Sequence, residues 1–273
     1  MKAEAFAPAK VNLTLHVTGR RDDGYHLLDS LVVFADVGDR LTLTAESDLS
    51  LDVTGEHAAG VPCDARNLVW KAAAAVGWAG RIHLDKALPH GGGIGGGSSD
   101  AAAALRVLSE HGIDIPKGLP LSLGADIPVC MLGKAARMRG IGGQCDPVAL
   151  PPMPALLVNP GVPVPTGSVF NALETPQNSP MPKIIPDFNA PEDCAYWLRD
   201  QRNDLEPPAT RLAGEIAGVL DELSSTKDVL LARMSGSGST CFGLYPTVKA
   251  AHFAAYELGA AHPDWWCRAT LLS

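Results

Sequence analysis

The 273 residues carry 22 basic and 30 acidic side chains, a net charge of −8, with 46% hydrophobic and 19% charged residues. These values exclude a disordered chain, a collagen-like repeat and a coiled coil. The negative balance is the wrong sign for a protein whose main partner is a nucleic-acid backbone, so no nucleic-acid partner is expected.

The length fits one large domain or two modest ones. No apolar run approaches the roughly 18 residues of a membrane span. The opening MKAEAFAPAKVNLTLHV is broken by Glu4, Lys10 and Asn12, so a soluble, unexported, cytoplasmic chain without a membrane partner is expected. The six cysteines (Cys63, Cys130, Cys145, Cys194, Cys241 and Cys267) form no C-x-x-C pair, and the eight histidines no H-E-x-x-H. Buried free thiols and no structural zinc follow.

Val11, Leu13, Leu15 and Val17 alternate with Asn12, Thr14 and His16, the period-two pattern of a half-buried strand running into the turn at residues 19–24. Alternations at residues 41–44, 49–53 and 82–84, separated by turn residues, predict an antiparallel sheet in the first third. Asp64 precedes an alanine-rich helix over residues 67–76. Ser98 or Ser99 precedes another over 100–108, with Ala101, Leu105 and Leu108 on one face. Pro147, Pro151, Pro152, Pro154, Pro160, Pro163 and Pro165 change the texture of the chain and place a domain boundary near residue 150, giving domains 1–150 and 151–273. Beyond it, residues 155–158 and 229–234 read as buried strands, and Leu212, Ile216, Val219, Leu220 and Leu223 as the stripe of an amphipathic helix. The segment 175–191, with five prolines, reads as a long loop. Strands and helices mix without steady alternation, so the fold class is α+β.

The most informative stretch is Pro89-His90-Gly91-Gly92-Gly93-Ile94-Gly95-Gly96-Gly97-Ser98-Ser99-Asp100, which follows a strand and opens a helix. Glycine lets the backbone approach a ligand closely, and the first turn of a helix leaves unpaired N–H groups and partial positive charge. Together they make a phosphate cradle. A flexible turn is the plain alternative, yet a turn needs one or two glycines, not six. Gly97 precedes Ser98 where a Walker A loop needs lysine, no βαβ unit supports a dinucleotide site, and no H-R-D or D-F-G follows. Two further pieces are Met234-Ser235-Gly236-Ser237-Gly238-Ser239-Thr240 and Gly124-Ala125-Asp126-Ile127-Pro128. Alone the first says little, since such a loop can merely turn, and the second alone reads better as a turn with Asp126 as a helix cap.

Further motifs stand in order with these: Pro8-Ala9-Lys10-Val11-Asn12-Leu13, Gly19-Arg20-Arg21-Asp22-Asp23-Gly24-Tyr25-His26, Pro160-Gly161 with Pro165-Thr166, and Asn203-Asp204-Leu205-Glu206. With them the chain resembles the GHMP kinases, the superfamily of galactokinase and of homoserine, mevalonate and phosphomevalonate kinases. The resemblance implies two domains around an active-site cleft, with an unusual left-handed β-α-β unit in the N-terminal one. Within that superfamily, D-G-Y-H after the A-K-x-N-L strand points to the branch whose acceptor is a cytidylated methylerythritol. The implied reaction is transfer of the ATP γ-phosphoryl group, with magnesium, to the tertiary 2-hydroxyl of that small-molecule substrate, a step toward isoprenoid precursors.

By motif, Asp126 becomes the general base and Lys10 its charged neighbour, with Asp126 acting mainly by orienting the hydroxyl. ATP binding falls to Lys86, Pro89, Gly91, Gly92, Gly93, Ile94, Gly95, Gly96, Gly97, Ser98, Ser99 and Asp100, with Gly236 and Ser237. Substrate binding falls to Asn12, Tyr25, His26, Asp126, Thr166 and Phe170, the rings offering stacking faces to the cytosine. Magnesium receives no assigned ligand, and the chain is a monomer or homodimer. Departures from the family pattern are a short 107–122 segment without its usual tryptophan, His90, and Cys130. The competing readings are another GHMP kinase, a nucleotide-binding module without turnover, and a plain scaffold, which leaves the glycine run unexplained.

Overall fold

The structure is a computed structural model and describes residues 2–273. In chain order its elements are β1 (Lys2–Asn12), β2 (His16–Arg20), β3 (His26–Ala45), β4 (Ser50–Thr54), α1 (Leu68–Ala75), β5 (Gly80–Asp85), α2 (Gly96–Glu110), α3 (Leu119–Leu123), α4 (Ile127–Leu132), β6 (Ala136–Gly140) and β7 (Gln144–Pro147). They continue with β8 (Met153–Asn159), α5 (Thr166–Asn171), α6 (Pro191–Arg199), α7 (Glu206–Leu212), α8 (Glu215–Ser225), β9 (Leu231–Met234), β10 (Cys241–Leu244), α9 (Val248–Ala261) and β11 (Trp266–Leu272).

These elements make two compact units that interleave along the chain. The first takes the stretch ending at Lys10, Val37–His90 and Gly95–Gly133; the second takes Val11–Asp36, Gly91–Ile94 and Lys134–Ser273. Residue 150 falls inside the second unit, where the proline cluster brackets β8 and keeps the chain extended as it enters and leaves that strand.

In the first unit β5 lies between two partners. It pairs antiparallel with the later half of β3, Arg40 opposite Asp85 through Ala45 opposite Gly80. It pairs parallel with β4, Ser50 opposite Arg81 through Thr54 opposite Asp85. The parallel pair corrects the wholly antiparallel expectation: α1 lies in the connection from β4 to β5, and a parallel pair requires such a crossover. Ile82 and Leu84 of β5 face the core with Leu41 and Leu43 of β3, and Val69 and Ala73 of α1 and Ala103, Ala104 and Leu108 of α2 cover them. Asn67, not Asp64, caps α1, accepting from Val69 N at 2.9 Å, while Asp64 pairs with Arg66 on the surface.

In the second unit β8 runs antiparallel to both β11 and β10, and β10 to β9. The first half of β3 carries β2 and β6. Helix α8 supplies Ile216, Val219 and Leu223 to the core, which also holds Leu156, Val158, Met234 and Tyr245. Leu212, expected on the same stripe, ends α7 and is exposed.

The alternating segment 11–17 is not one strand, because β1 ends at Asn12 and β2 begins at His16. Its polar residues do not face water either, since Asn12, Thr14 and His16 are as buried as their apolar neighbours. Asn12 donates to Ser30 Oγ at 2.7 Å, Thr14 Oγ1 accepts from Leu31 N at 2.8 Å, and the His16 ring meets Ser179 O at 3.1 Å. Among the described residues no helix is long and apolar enough to cross a membrane. The cysteines are unpaired, with Cys130, Cys194 and Cys241 buried, Cys145 and Cys267 half-buried and Cys63 exposed, so uniform burial does not hold.

Ile82→Ala removes a fully buried side chain from the central strand of the first core. Urea unfolding followed by circular dichroism is expected to show a loss of about 2–5 kcal/mol.

Candidate active site

In the first unit, α2 starts inside the glycine run rather than after a serine cap. Gly95 is the N-cap, at φ +64°, and Ser99 N closes the first turn on Gly95 O at 2.8 Å. A residue with a side chain is strained in that left-handed conformation, so glycine permits the earlier start. The amides of Gly96, Gly97 and Ser98 are then left without intrahelical acceptors at the positive end of a 15-residue helix.

Lys10, near the end of β1, donates from Nζ to Asp126 Oδ2 at 3.0 Å. The lysine side chain is 4% exposed and the aspartate 31%. Asp126 stands at the N-cap position of α4, yet its carboxylate makes no capping bond. It is turned to Lys10 instead, which removes the plain reading of Asp126 as a helix cap. A Cβ on Gly95 would lie 3.1 Å from Lys10 Cε, so the helix start rests against the lysine stem. Arg106 of α2 donates to Cys130 O of α4 and, at 3.3 Å, to Phe6 O of β1, tying together the two elements that carry Asp126 and Lys10.

Lys86, Ser99 and Asp100, expected at the ATP site, turn their side chains inward. Lys86 Nζ donates to Asp39 Oδ2 and, at 2.8 Å, to Asp100 Oδ2. Ser99 Oγ donates to Pro8 O at 2.7 Å. All three are at most 3% exposed; burial of the ammonium is compensated by the two carboxylates, which hold the Lys86 pKa above its ordinary value.

In the second unit, the earlier part of the glycine run is fixed on the 235–240 loop. Thr240 N donates to Gly92 O at 3.0 Å and Ser235 Oγ to Gly93 O at 3.2 Å. A Cβ on Gly93, at φ +74°, would lie 2.5 Å from Ser235 O and 2.7 Å from Gly238 O. Asn203 Nδ2 donates to Met234 O and Gly236 O at 2.8 and 2.9 Å, and Asn12 N to Ser235 Oγ at 3.1 Å. Thr166 and Ser237 share a hydroxyl hydrogen bond of 2.9 Å. His26 stacks on Phe170 with centroids 4.7 Å apart and planes 21° from parallel, and Tyr25 is 61% exposed. Burial, then the Arg20 charge, lowers the His26 pKa and favours a neutral ring near pH 7.

Two GHMP kinase family models match the chain, the N-terminal domain over residues 67–138 and the C-terminal over 184–264. A 4-diphosphocytidyl-2-C-methyl-D-erythritol kinase of Dinoroseobacter shibae is 59% identical over 98% of this chain and 94% of its own. One of Cereibacter sphaeroides is 53% identical over 96% of each. The chain belongs to the 4-diphosphocytidyl-2-C-methyl-D-erythritol kinase family of GHMP kinases. A crystal structure of 4-(cytidine 5'-diphospho)-2C-methyl-D-erythritol kinase superposes with a TM-score of 0.78 at 35% identity, covering 99% of both chains. A homoserine kinase from Cytophaga hutchinsonii, with a TM-score of 0.62 at 19% identity, shares the fold.

The protein is thus a small-molecule kinase with the α+β fold of its family. Four residues that shape its loops carry no signal as single letters. Asp39 lies within a strand beside Gly38 and Arg40, where an exposed turn is the ordinary inference. Ser235, Asn203 and Arg106 act on backbone carbonyls, contacts that residue type alone does not announce. Asn203 does stand in the N-D-L-E motif, which could have drawn attention to it.

Gly93→Ala places a methyl group within 2.8 Å of three backbone atoms at positive φ. The variant is expected to melt lower by a stability loss of about 2 kcal/mol or more, measured by scanning calorimetry, with a raised KM for ATP.

Proposed function

We propose that Lys10 and Asp126 carry the transfer of the ATP γ-phosphoryl group to the 2-hydroxyl of 4-diphosphocytidyl-2-C-methyl-D-erythritol, giving the 2-phosphate and ADP. The observation that carries this reading is the 3.0 Å pair itself, one ammonium and one accessible carboxylate at the start of a glycine-opened helix. Phosphoryl transfer demands positioning and neutralisation of spread negative charge more than covalent chemistry. The amides of Gly96, Gly97 and Ser98 receive phosphate oxygens, and the Lys10 ammonium balances charge on the transferring group. Asp126 accepts a hydrogen bond from the substrate hydroxyl, aims its oxygen at phosphorus and takes the proton as the new P–O bond forms and the bond to ADP breaks.

Magnesium enters as part of the nucleotide substrate, whose phosphates supply most of its ligands. The stacked pair of His26 and Phe170, with Tyr25 beside His26 in sequence, is the surface offered to cytosine. A neutral imidazole presents one donor and one acceptor to the edge of the base. Thr166 and Ser237 add hydroxyls. Gly92 and Gly93 shape the loop through backbone contacts, with Gly91 and the buried Ile94 beside them, and Lys86, Ser99 and Asp100 act from beneath the helix start rather than by touching ATP. A cytoplasmic setting, as monomer or homodimer, accords with ATP as donor.

The test is ADP release with ATP, magnesium and one of four acceptors: the cytidylated methylerythritol, its cytidine-free analogue, mevalonate or homoserine. Turnover with the first alone is expected, while activity on another alcohol would overturn the substrate assignment. Asp126→Asn is expected to lower kcat at least about a hundredfold with KM for ATP little changed, as steady-state kinetics would show. Phe170→Ala should instead raise KM for the cytidylated substrate more than it lowers kcat.

A further inference from the structure

Beneath the first residues of α2, two carboxylates share one ammonium in a place water does not reach. Asp39, Lys86 and Asp100 side chains are 0%, 4% and 3% exposed. A Cβ on Gly96 would stand 3.4 Å from Lys86 Nζ and 3.7 Å from Asp39 Oδ2, so the cluster lies directly against the helix start.

We propose that Asp39, Lys86 and Asp100 hold one proton among them, on Asp100, and that this neutral cluster keeps the start of α2 attractive to the phosphates of ATP. The inference rests on the kinase reading for its ligand, but its charge state does not.

A census of donors assigns the proton. Asp39 Oδ1 accepts from Ala87 N and Leu88 N at 2.7 and 2.9 Å, and its Oδ2 accepts from Lys86. Both its oxygens are served as an ionised carboxylate requires. Among the described residues Asp100 accepts from Lys86 alone, its Oδ1 is buried without a partner, and the Asp39 carboxylate stands close enough to accept a hydrogen bond from a protonated Asp100. With both carboxylates ionised the cluster would bury a net negative charge behind an anion site, at high cost. Burial, opposed by the Lys86 charge and reinforced by the Asp39 charge, pushes the Asp100 pKa up to about 8.

The other groups near it do not change this count. The Cys130 thiol of α4 is held protonated by burial, Lys10 of β1 is paired with Asp126, and Lys71 of α1 is exposed. Asp100 is therefore protonated at neutral pH and loses the proton to solvent as pH rises through about 8, leaving the cluster with one negative charge.

Two measurements test this. Infrared spectra of the unliganded protein near neutral pH should show the carbonyl stretch of a buried protonated carboxyl, absent from Asp100→Asn and lost from the wild type as pH is raised. Steady-state kinetics should show the wild-type KM for ATP climbing about tenfold more than that of Asp100→Asn between about pH 7 and about pH 9.5, the size of one unit charge acting across a protein interior. The pH dependence of kcat should follow one course in both. Asp39→Asn is the second variant: Asp100 then ionises against Lys86, the band disappears and the KM profile flattens. A band that survives Asp100→Asn, or KM profiles that run parallel, would overturn the proposal. The infrared measurement needs no turnover, so it separates failure of this inference from failure of the kinase reading.

Discussion

A buried ammonium must have a carboxylate beside it, and the first unit is organised around two such ammonium groups. The Lys10 side chain is 4% exposed and faces Asp126; that of Lys86 is 4% exposed and faces Asp39 and Asp100. Removing one partner from such an arrangement leaves an uncompensated charge out of water, which costs far more than the pair contributes. The pairs therefore constrain which segments lie together: β1 with α4 for Lys10, and β3, the chain after β5 and α2 for Lys86. Gly95 rests against the first lysine and Gly96 against the second, so the helix that offers its amides to an anion begins where both cations are held.

The two arrangements differ in access, and on the proposed reading that difference separates chemistry from support. Asp126 is 31% exposed and leaves the first turn of its own helix uncapped in order to reach Lys10. It retains oxygen surface for a ligand. Asp39 and Asp100 have almost none and are occupied by backbone amides and an ammonium. The second unit solves a different problem, that of holding a loop of small residues still. Its 235–240 segment is fixed by Asn203 on two of its carbonyl groups or their neighbours, by Ser235 on Gly93 O, and by Thr240 on Gly92 O. Backbone-directed bonds of this kind order a glycine-rich segment without filling the space a ligand needs.

Much of this was legible in the sequence, and what was not has identifiable causes. The glycine run ahead of an alanine-rich helix marks an anion cradle because its composition is explained by no plain turn. The ordered motifs from residue 7 onward gave the family. The helix starts a few residues before the position a serine cap predicts, because Gly95 caps it by taking a left-handed conformation that the letter permits but does not announce. The parallel pairing of β4 with β5 could have been read from the helix between them, since a parallel pair needs that crossover. The burial of Asn12, Thr14 and His16 could not: alternation reports polarity, and polar residues with partners across the chain at Ser30, Leu31 and Ser179 lie as deep as leucine. Asp39 and Arg106 are the same case, residues whose role exists only through distant partners.

The overall charge of −8 sharpens the electrostatic question, because both ATP and a nucleoside-diphosphate-linked alcohol are polyanions. Long-range attraction is not available to such a protein, so the positive potential has to be local. On the proposed reading it comes, in the first unit, from three amides at a helix end and from Lys10, sources whose effect falls off within a turn of helix or a few ångströms. Three carboxylates lie close to that same helix start, and left ionised without compensation they would cancel it. Asp126 is balanced by Lys10, while Asp39 and Asp100 both contact Lys86 and share its single positive charge. A proton on Asp100 completes the balance. On the proposed reading the same count explains why the carboxylate that remains accessible is the one paired with the lysine against Gly95: it would orient a hydroxyl while adding no net negative charge to the proposed phosphate site.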